Sequence, residues 1–482
     1  MGVAYNSRII TDGLVLALDA ANNKSILSTV EVLVVAGGGA GGNGTGSGYE
    51  SGGGGAGGLI YSSSHSITPG SAITATVGAG GASATSSAPA ANGANSVFGS
   101  LEAIGGGGGA TAPAVGSSGG SGGGGSHNQT AGGSGTAGQG FSGATPAQVS
   151  SGGGGGGAGG PGKSTSSNAD GSGGIGLPFS ISGSLQYYAG GGGGSRHTDV
   201  SGGLGGGGAG VSLSAGYANG SPGGTNTGGG GGGANQPATN TGGGAGGSGI
   251  VIVRYPGSQR ATGGTVTSVG GYTIHTFTTS GTFTPTWGDM STNRNTGTLV
   301  NGTGYSTSNG GALSFDGVDD GVNIPHNSNI DIRNQITIEC LFYLNSFTAG
   351  GPYTDRSTLI TKAYSYYMTI GPSGKIDVYF YGTGGYFSSN SSVNLNQWTH
   401  VVVTFNGSTI NWYINSIIDK SLSQSGTITP ERNGDLGIGR ELFENYGRGM
   451  NGRISNAKLY NRALSAAEVS QNFNALRGRF GI

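Results

Sequence analysis

The sequence predicts an all-β protein, a β-sandwich with a long glycine-rich block ahead of most of its strands. Three observations lead there. Short alternating runs of apolar and polar residues, separated by glycine-containing turns, recur through residues 285–482. A lone strand pattern of the same kind, Gly13-Leu-Val-Leu-Ala-Leu-Asp-Ala20, stands far ahead of them. Between the two, most of the 113 glycines of this 482-residue chain are concentrated in residues 37–249.

Taken in order, residues 1–27 hold the first strand, with Leu14, Leu16 and Leu18 on one face. Residues 28–284 hold the glycine block and its flanks. Thr29-Val-Glu-Val-Leu-Val-Val35 enters the block and Gly249-Ile-Val-Ile-Val-Arg-Tyr255 leaves it. Both are β-branched and similar in length, so pairing them would close the block as an insert whose ends meet. A third strand is expected at 271–279. Residues 285–482 carry strand patterns at 311–315, 337–344, 357–361, 367–370, 376–381, 398–405, 409–414 and 452–460. One helix follows. Ser465-Ala-Ala-Glu468 is a capping box, with Val469, Phe473 and Leu476 on one face after it.

Pure glycine runs occupy 105–109, 152–157, 190–194, 205–208 and 228–233. Such runs lose the most backbone entropy on folding, and the default expectation for them is a flexible linker. Short apolar pieces between them argue for order: Leu59-Ile-Tyr61, Ile73-Thr-Ala-Thr-Val77, Ser96-Val-Phe98, Leu177-Pro-Phe-Ser-Ile181 and Leu185-Gln-Tyr-Tyr188. The period is not the Gly-X-Y of collagen. The expected ordered form is a bundle of extended, three-residue-per-turn glycine helices packed on a small β-sheet. Each run leaves its NH and CO groups pointing outward, so only a bundle in which most peptides pair can hold.

Composition excludes several function classes. Charged residues make up 9% of the chain and the formal net charge is −1, which argues against nucleic acid and anionic membranes as partners. No apolar run approaches a membrane span. Cys340 is the single cysteine, on a strand alternation that buries it. The first residues fit neither a signal peptide nor a myristoylation pattern, which leads us to expect a protein made in a cytoplasm and released by a route other than secretion.

Two resemblances extend this reading. Phe315-Asp-Gly-Val-Asp-Asp320, Trp398-Thr-His-Val-Val-Val-Thr-Phe405 and Gly452-Arg-Ile-Ser-Asn-Ala-Lys-Leu-Tyr-Asn-Arg-Ala-Leu-Ser465 resemble the concanavalin-A-like, laminin-G-like jelly roll, in that family's order. The resemblance implies that 1–27 and 285–482 form one jelly-roll sandwich with 28–284 inserted in its first loop. Val32-Leu-Val-Val-Ala-Gly-Gly-Gly39 and Gly246-Gly-Ser-Gly-Ile-Val-Ile-Val253 resemble the glycine-rich domains of bacteriophage tail-fibre proteins and adhesins. A strand like Thr273-Ile-His-Thr-Phe277 commonly precedes the glycine block in those proteins, whereas here it follows.

These resemblances imply a virion protein, on a tail fibre or capsid surface, that binds host-surface glycans. The implied partners are other virion proteins, a host cell-surface polysaccharide and further copies of the chain. The competing reading is a capsid-decoration or fibre-scaffold subunit without receptor binding, and a third is a carbohydrate-active enzyme. Glycan cleavage needs paired carboxylates, and the strand at 376–380 offers only Asp377, so no catalytic residues are expected. For glycan or partner contact the candidates are Tyr187, Tyr188, Arg196 and His197 in the glycine block and Tyr353, Tyr366, Tyr381 and Tyr386 in the sandwich. The alternative for the tyrosines is core or interface packing. No cofactor is expected, with calcium at Asp316, Asp319 and Asp320 as the one candidate metal, against a plain strand-end turn. No histidines show zinc-ligand spacing, and His400 is expected to pack or hydrogen-bond within its strand.

Overall fold

The computed structural model describes residues 8–22, 24–44, 50–83, 90–166, 169–195, 200–212, 218–235, 242–308, 311–347, 355–430, 433–442 and 448–482. The alternating runs of the C-terminal part pair into two antiparallel sheets. The larger runs in the order Gly304–Ser306, Ala312–Asp316, Asn451–Tyr460, Ile336–Leu344, Trp398–Phe405, Thr409–Ile414 and Ile417–Ser423. The first strand, Leu14–Asp19, also pairs with Asn451–Tyr460, with Leu18 opposite Ala457. The second sheet runs Thr298–Val300, Gly321–Ile324, Leu436–Ile438, Ser357–Lys362, Tyr366–Ile370, Lys375–Phe380 and Tyr386–Ser392.

Between these sheets lies one continuous core. Leu16 and Leu18 meet Ile338, Phe342, Tyr366, Phe380, Phe405 and Trp412, all closed off from solvent. Burial of such side chains contributes roughly 1.5–3 kcal/mol each. The helix Ala466–Leu476 covers the back of the larger sheet, and its capping box forms as the sequence predicts, Ser465 and Glu468 each bonding the other's backbone. Under the helix, Glu339 takes Lys458 Nζ at 2.6 Å, His400 Nε2 at 3.0 Å and Asn472 Nδ2 at 2.7 Å. Burial alone would raise the Glu339 carboxyl, but the Lys458 charge and the His400 contact hold it down at about 2.

The flanks of the glycine block build a second, smaller sandwich. Thr29–Val35 pairs antiparallel with Ile250–Pro256, Val32 opposite Val253, so the two ends of the block lie side by side. Tyr272–Phe277 pairs with the other edge of Ile250–Pro256 even though it follows the block. Thr265–Val269 and Leu59–Ser66 complete this sheet. A second five-stranded sheet contains Gly281–Pro285, Ile73–Thr76 and Ser96–Phe98. Val32, Val34, Val253, Phe98 and Phe283 fill the space between the two.

The glycine runs form an ordered slab. Gly52, Gly53 and Gly54 donate to the carbonyls of Ala110, Gly153 and Gly231. One turn later Gly55, Ala56 and Gly57 donate to Gly107, Gly156 and Gly228, all at 2.8–3.0 Å. Every third amide thus returns to the same neighbouring run, which is the three-residue period of an extended glycine helix. Residues 36–42 repeat the pattern: Ala36, Gly39 and Gly42 donate to Gly58, Gly55 and Gly52. At Gly54 only glycine permits this spacing, because a Cβ there would stand 2.1 Å from the Gly39 carbonyl oxygen. The slab rests on the sheet through Leu33, Val35, Ile250 and Ile252, which pack with Ala56, Ala158 and Ala189.

Candidate functional site: a tyrosine face on the sandwich

Strand alternation in the seven-stranded sheet sends Tyr366, Met368, Ile376, Val378 and Phe380 into the core. The intervening residues occupy the opposite face, and the register lines them up across strands. Thr361 lies opposite Tyr367, Tyr367 opposite Tyr379, and Tyr379 opposite Tyr386. The adjacent row is polar: Thr358, Thr369, Asp377 and Ser388. Gly374, at φ +79°, turns the chain between two of these strands in a conformation that side chains resist.

The rings form one connected cluster. Tyr379 lies 4.9 Å from Tyr386 and 4.8 Å from Tyr381 between centroids, and Tyr364 stands 5.6 Å from Tyr381. Tyr367 donates its hydroxyl proton to Tyr381 Oη at 3.2 Å. The Arg356 guanidinium lies 4.2 Å above the Tyr386 ring, and Tyr386 is 44% exposed, so the cluster opens to solvent at that end.

A chain of charges borders the rings. Arg356 Nη1 bonds Asp377 at 2.6 Å, and Ser388 Oγ donates to the same carboxylate at 2.6 Å. Arg448 bridges Asp355 at 2.9 Å and Glu441 at 3.1 Å. Burial pushes the Glu441 carboxyl up, against the opposing charge of Arg448. Burial likewise raises the Tyr386 and Tyr367 hydroxyls, so both stay protonated donors at neutral pH. The hydroxyls of Thr358, Thr361 and Thr369 are buried with no hydrogen-bond partner among the described residues. The face is therefore polar and aromatic, buried along Tyr367, Thr358, Thr361 and Thr369 and exposed at Tyr386, whose ring can stack on a flat apolar surface beside the Arg356 guanidinium.

The structure brings together Tyr381 and Tyr386 from the sequence-predicted set. Tyr366 is a correction: it is fully buried in the core and its hydroxyl donates to the Ile330 carbonyl at 3.0 Å, because alternation sends it inward. Tyr188 is a second correction. It is 5% exposed and packs with Leu33, Ile252 and Ile181, anchoring the hairpin of Leu177–Phe179 and Gln186–Tyr188 to the sheet. Tyr187, on the opposite face of that strand, is 36% exposed. Arg196, His197 and Tyr353 lie outside the described residues. Sequence reasoning missed Arg356, Glu441 and Arg448, which come from loops and have no spacing signal.

Asp316, Asp319 and Asp320 have carboxylate oxygens within 4.8 Å of one another. Asp316 Oδ1 accepts the amide of Val318 at 2.7 Å, and Asp320 Oδ2 accepts that of Asp316 at 2.9 Å. These bonds build a turn between two strands. Burial and the neighbouring charges of Asp316 and Asp319 raise the Asp320 carboxyl. At the edge of the glycine slab, Glu50 is 1% exposed with no hydrogen bond to its carboxylate oxygens among the described residues, and burial raises it to about 7.

Residues 316–470 match the concanavalin A-like lectin/glucanases superfamily, and residues 21–256 match a glycine-rich domain family. The chain carries a concanavalin A-like domain and a glycine-rich domain. A comparison with curated proteins found no match. Solved structures similar to this chain include domain 4 of an extracellular arabinanase from Geobacillus stearothermophilus in complex with arabinotriose. It is 17% identical with a TM-score of 0.32, over 38% of this chain and 91% of that one. The binding domain of Paraclostridial Mosquitocidal Protein 1 is 16% identical with a TM-score of 0.33, over 39% of this chain and 49% of that one. A Trypanosoma rangeli sialidase is 16% identical with a TM-score of 0.32, over 40% of this chain and 31% of that one. Likenesses this distant carry no functional argument. The tyrosine face lies within the concanavalin A-like domain.

Proposed function

We propose that the chain is a non-enzymatic glycan-binding component of a bacteriophage fibre, attaching the particle to host-surface polysaccharide. One observation carries the binding: the in-register rows of tyrosines and polar residues on the concanavalin A-like domain, open to solvent at Tyr386 and bordered by Arg356. Tyrosine rings stack on sugar faces, and arginine and carboxylate groups bond sugar hydroxyls. Contacts of this kind are individually weak, so attachment needs many copies per particle. The place on a fibre is supported by the resemblance of the glycine-rich domain's flanks to those of phage fibre proteins. We also read residues 28–284 as an insert within the concanavalin A-like domain formed by 1–27 and 285–482. The pairing of Leu14–Asp19 with Asn451–Tyr460 supports this division.

The test is binding of the full chain to host cells and to arrays of bacterial surface polysaccharides, wild type against Tyr386→Ala, with thermal melting as a fold control. Binding that falls about tenfold or more in Tyr386→Ala supports the reading. Equal binding by both proteins, or none by either, sinks it, and particle incorporation without cell binding would favour the scaffold reading. Glycoside hydrolysis is a second reading with one observation behind it, the raised Glu441 carboxyl, which feels the charge of the same Arg356 that binds Asp377. Release of reducing ends that disappears in Glu441→Gln would support it. Against it, Asp377 and Glu441 are each tied to an arginine.

A further inference from the structure

In the glycine-rich domain, one face of the sheet built on Thr29–Val35 and Ile250–Pro256 is only partly covered. Leu33, Ile252 and Ile274 lie under the slab and the hairpin, packed with Ala158, Ile181 and Tyr188. Two residues along their strands, the same face carries Glu31, Arg254 and Tyr272. Glu31 lies directly opposite Arg254, and Tyr272 opposite Val269 on the edge strand. Tyr61 reaches the row from the other edge strand, Leu59–Ser66. Here the face is open: Val269 is 46%, Tyr61 42% and Tyr272 39% exposed. Tyr61 and Tyr272 stand three strand spacings apart, about 14 Å.

Polar bonds tie this row together. Arg254 holds Glu31 with two parallel bonds, Nε to Oε2 and Nη2 to Oε1, both at 2.8 Å. The Tyr61 hydroxyl donates to Glu31 Oε1 at 2.9 Å, and its ring lies 4.8 Å from that of Phe179. At the other end the Arg254 guanidinium lies 4.6 Å from the centre of the Tyr272 ring. The hairpin walls one side: Arg254 Nη1 donates to the Ser180 carbonyl at 2.9 Å, and Gly183 lies against Val269. Both tyrosines are therefore fixed before a ligand arrives, which lowers the ordering cost of binding. The five strands of this sheet and the hairpin, 177–188, contain no lysine, arginine, aspartate or glutamate besides Arg254 and Glu31, whose charges cancel.

We infer that this row is a binding site for an uncharged oligosaccharide, distinct from the face at Tyr386 and sharing no residue with it. The exposed rings of Tyr61 and Tyr272 take the apolar faces of sugar rings at the two ends. Between them the Glu31 carboxylate has lone pairs to spare, and Nη1 of Arg254 spends only one of its two protons among the described residues, on Ser180. Both therefore bond sugar hydroxyls. An ionic ligand finds no net charge here to hold it. A protein partner would have to dry the ion pair at the centre of the row, at a cost its attraction seldom recovers, whereas sugar hydroxyls replace the water they displace. A second site on the same chain adds avidity for a long polysaccharide.

The experiment is saturation-transfer NMR titration of the full chain with maltotriose, cellotriose and chitotriose. Every protein carries Tyr386→Ala, so that failure of this site and failure of the tyrosine face are read separately. The expected result is binding of at least one trisaccharide, unchanged by added salt, about tenfold or more weaker once Tyr272→Ala is added and kept in Tyr272→Phe. Should Tyr272→Ala lower the melting temperature, Tyr61→Ala takes its place. No trisaccharide bound at millimolar-order concentration, or binding unchanged in both alanine variants, would overturn the assignment. So would a concentration-dependent dimer that Tyr272→Ala dissolves, which would give the face to a second copy of the chain.

Discussion

Replacing Gly54 by alanine tests whether the glycine runs are packed as described. An added Cβ would stand 2.1 Å from the Gly39 carbonyl oxygen, whereas ordinary contact begins at 3.4 Å, so one run must retreat by about 1.3 Å. Gly54 N bonds Gly231 O at 2.8 Å, and Gly192 N bonds Gly54 O at 2.8 Å. A retreat of that size breaks both, in a slab too dense for water to replace them. An unsatisfied buried peptide group costs about 1–3 kcal/mol, giving about 2–6 kcal/mol for the pair. Alanine returns about 0.4–1 kcal/mol by restricting the unfolded chain. The net loss of about 1–5.6 kcal/mol is a large part of ordinary domain stability. The assay is urea unfolding followed by amide hydrogen exchange across residues 52–58. All three tryptophans, Trp287, Trp398 and Trp412, lie outside the glycine block, so fluorescence follows the concanavalin A-like domain separately. Gly478→Ala is the control, because no heavy atom lies within 4 Å of its added Cβ. If Gly54→Ala leaves both the midpoint and the exchange of 52–58 unchanged, the packed slab is refuted.

Other perturbations follow from the buried charges and the acidic turn. Between pH 4.5 and about 7 the folded chain keeps the Glu50 proton that the unfolded chain releases, so stability falls as pH rises through that window. The full difference is about 3 kcal/mol, and Glu50→Gln should be more stable than wild type at pH 8 and flatten the pH profile, read by denaturant melts at pH 5 and pH 8. Glu339 has the opposite sign: its lowered value contributes stability above about pH 4.5 that is lost as pH falls toward 2. Lys458→Met, which leaves that buried carboxylate without its cation, should cost about 3–5 kcal/mol at pH 7, with the loss shrinking in acid. At the turn of Asp316, Asp319 and Asp320, millimolar-order calcium or a chelator should leave the melting temperature within about 1 °C if backbone amides are its partners; a larger calcium-dependent rise would make it a metal site.

The alternating residues of 398–405 and 409–414 were legible as strands, with their bounds, because each is a long β-branched or aromatic run ended by a turn signal. The capping box at Ser465 was legible for a similar reason: it is local, three residues apart, and needs no partner from elsewhere. Short strands such as Leu436–Ile438 and Gly304–Ser306 carry too few residues for a period and exist because neighbouring strands receive them, the first between Gly321–Ile324 and Ser357–Lys362, the second at a sheet edge. Tyrosines were legible as a cluster, but not their direction. Tyr366 and Tyr367 are neighbours in sequence and both buried, but they take opposite faces of the sheet, since the face each takes depends on the register of the whole sheet.

By itself the sequence determined that glycine would crowd the middle of this chain and that β-strands would flank it on both sides. Composition and alternation are properties of single segments, so they survive without tertiary information. Which run each glycine amide meets, which tyrosines share a face, and that Arg356 and Arg448 join Asp355, Asp377 and Glu441 were decided only by the tertiary structure. Those relations join residues far apart in sequence, such as Gly54 with Gly231 and Gly38 with Gly247. Nothing in local propensity encodes them, because they are set by the packing of sheets and slab as a whole.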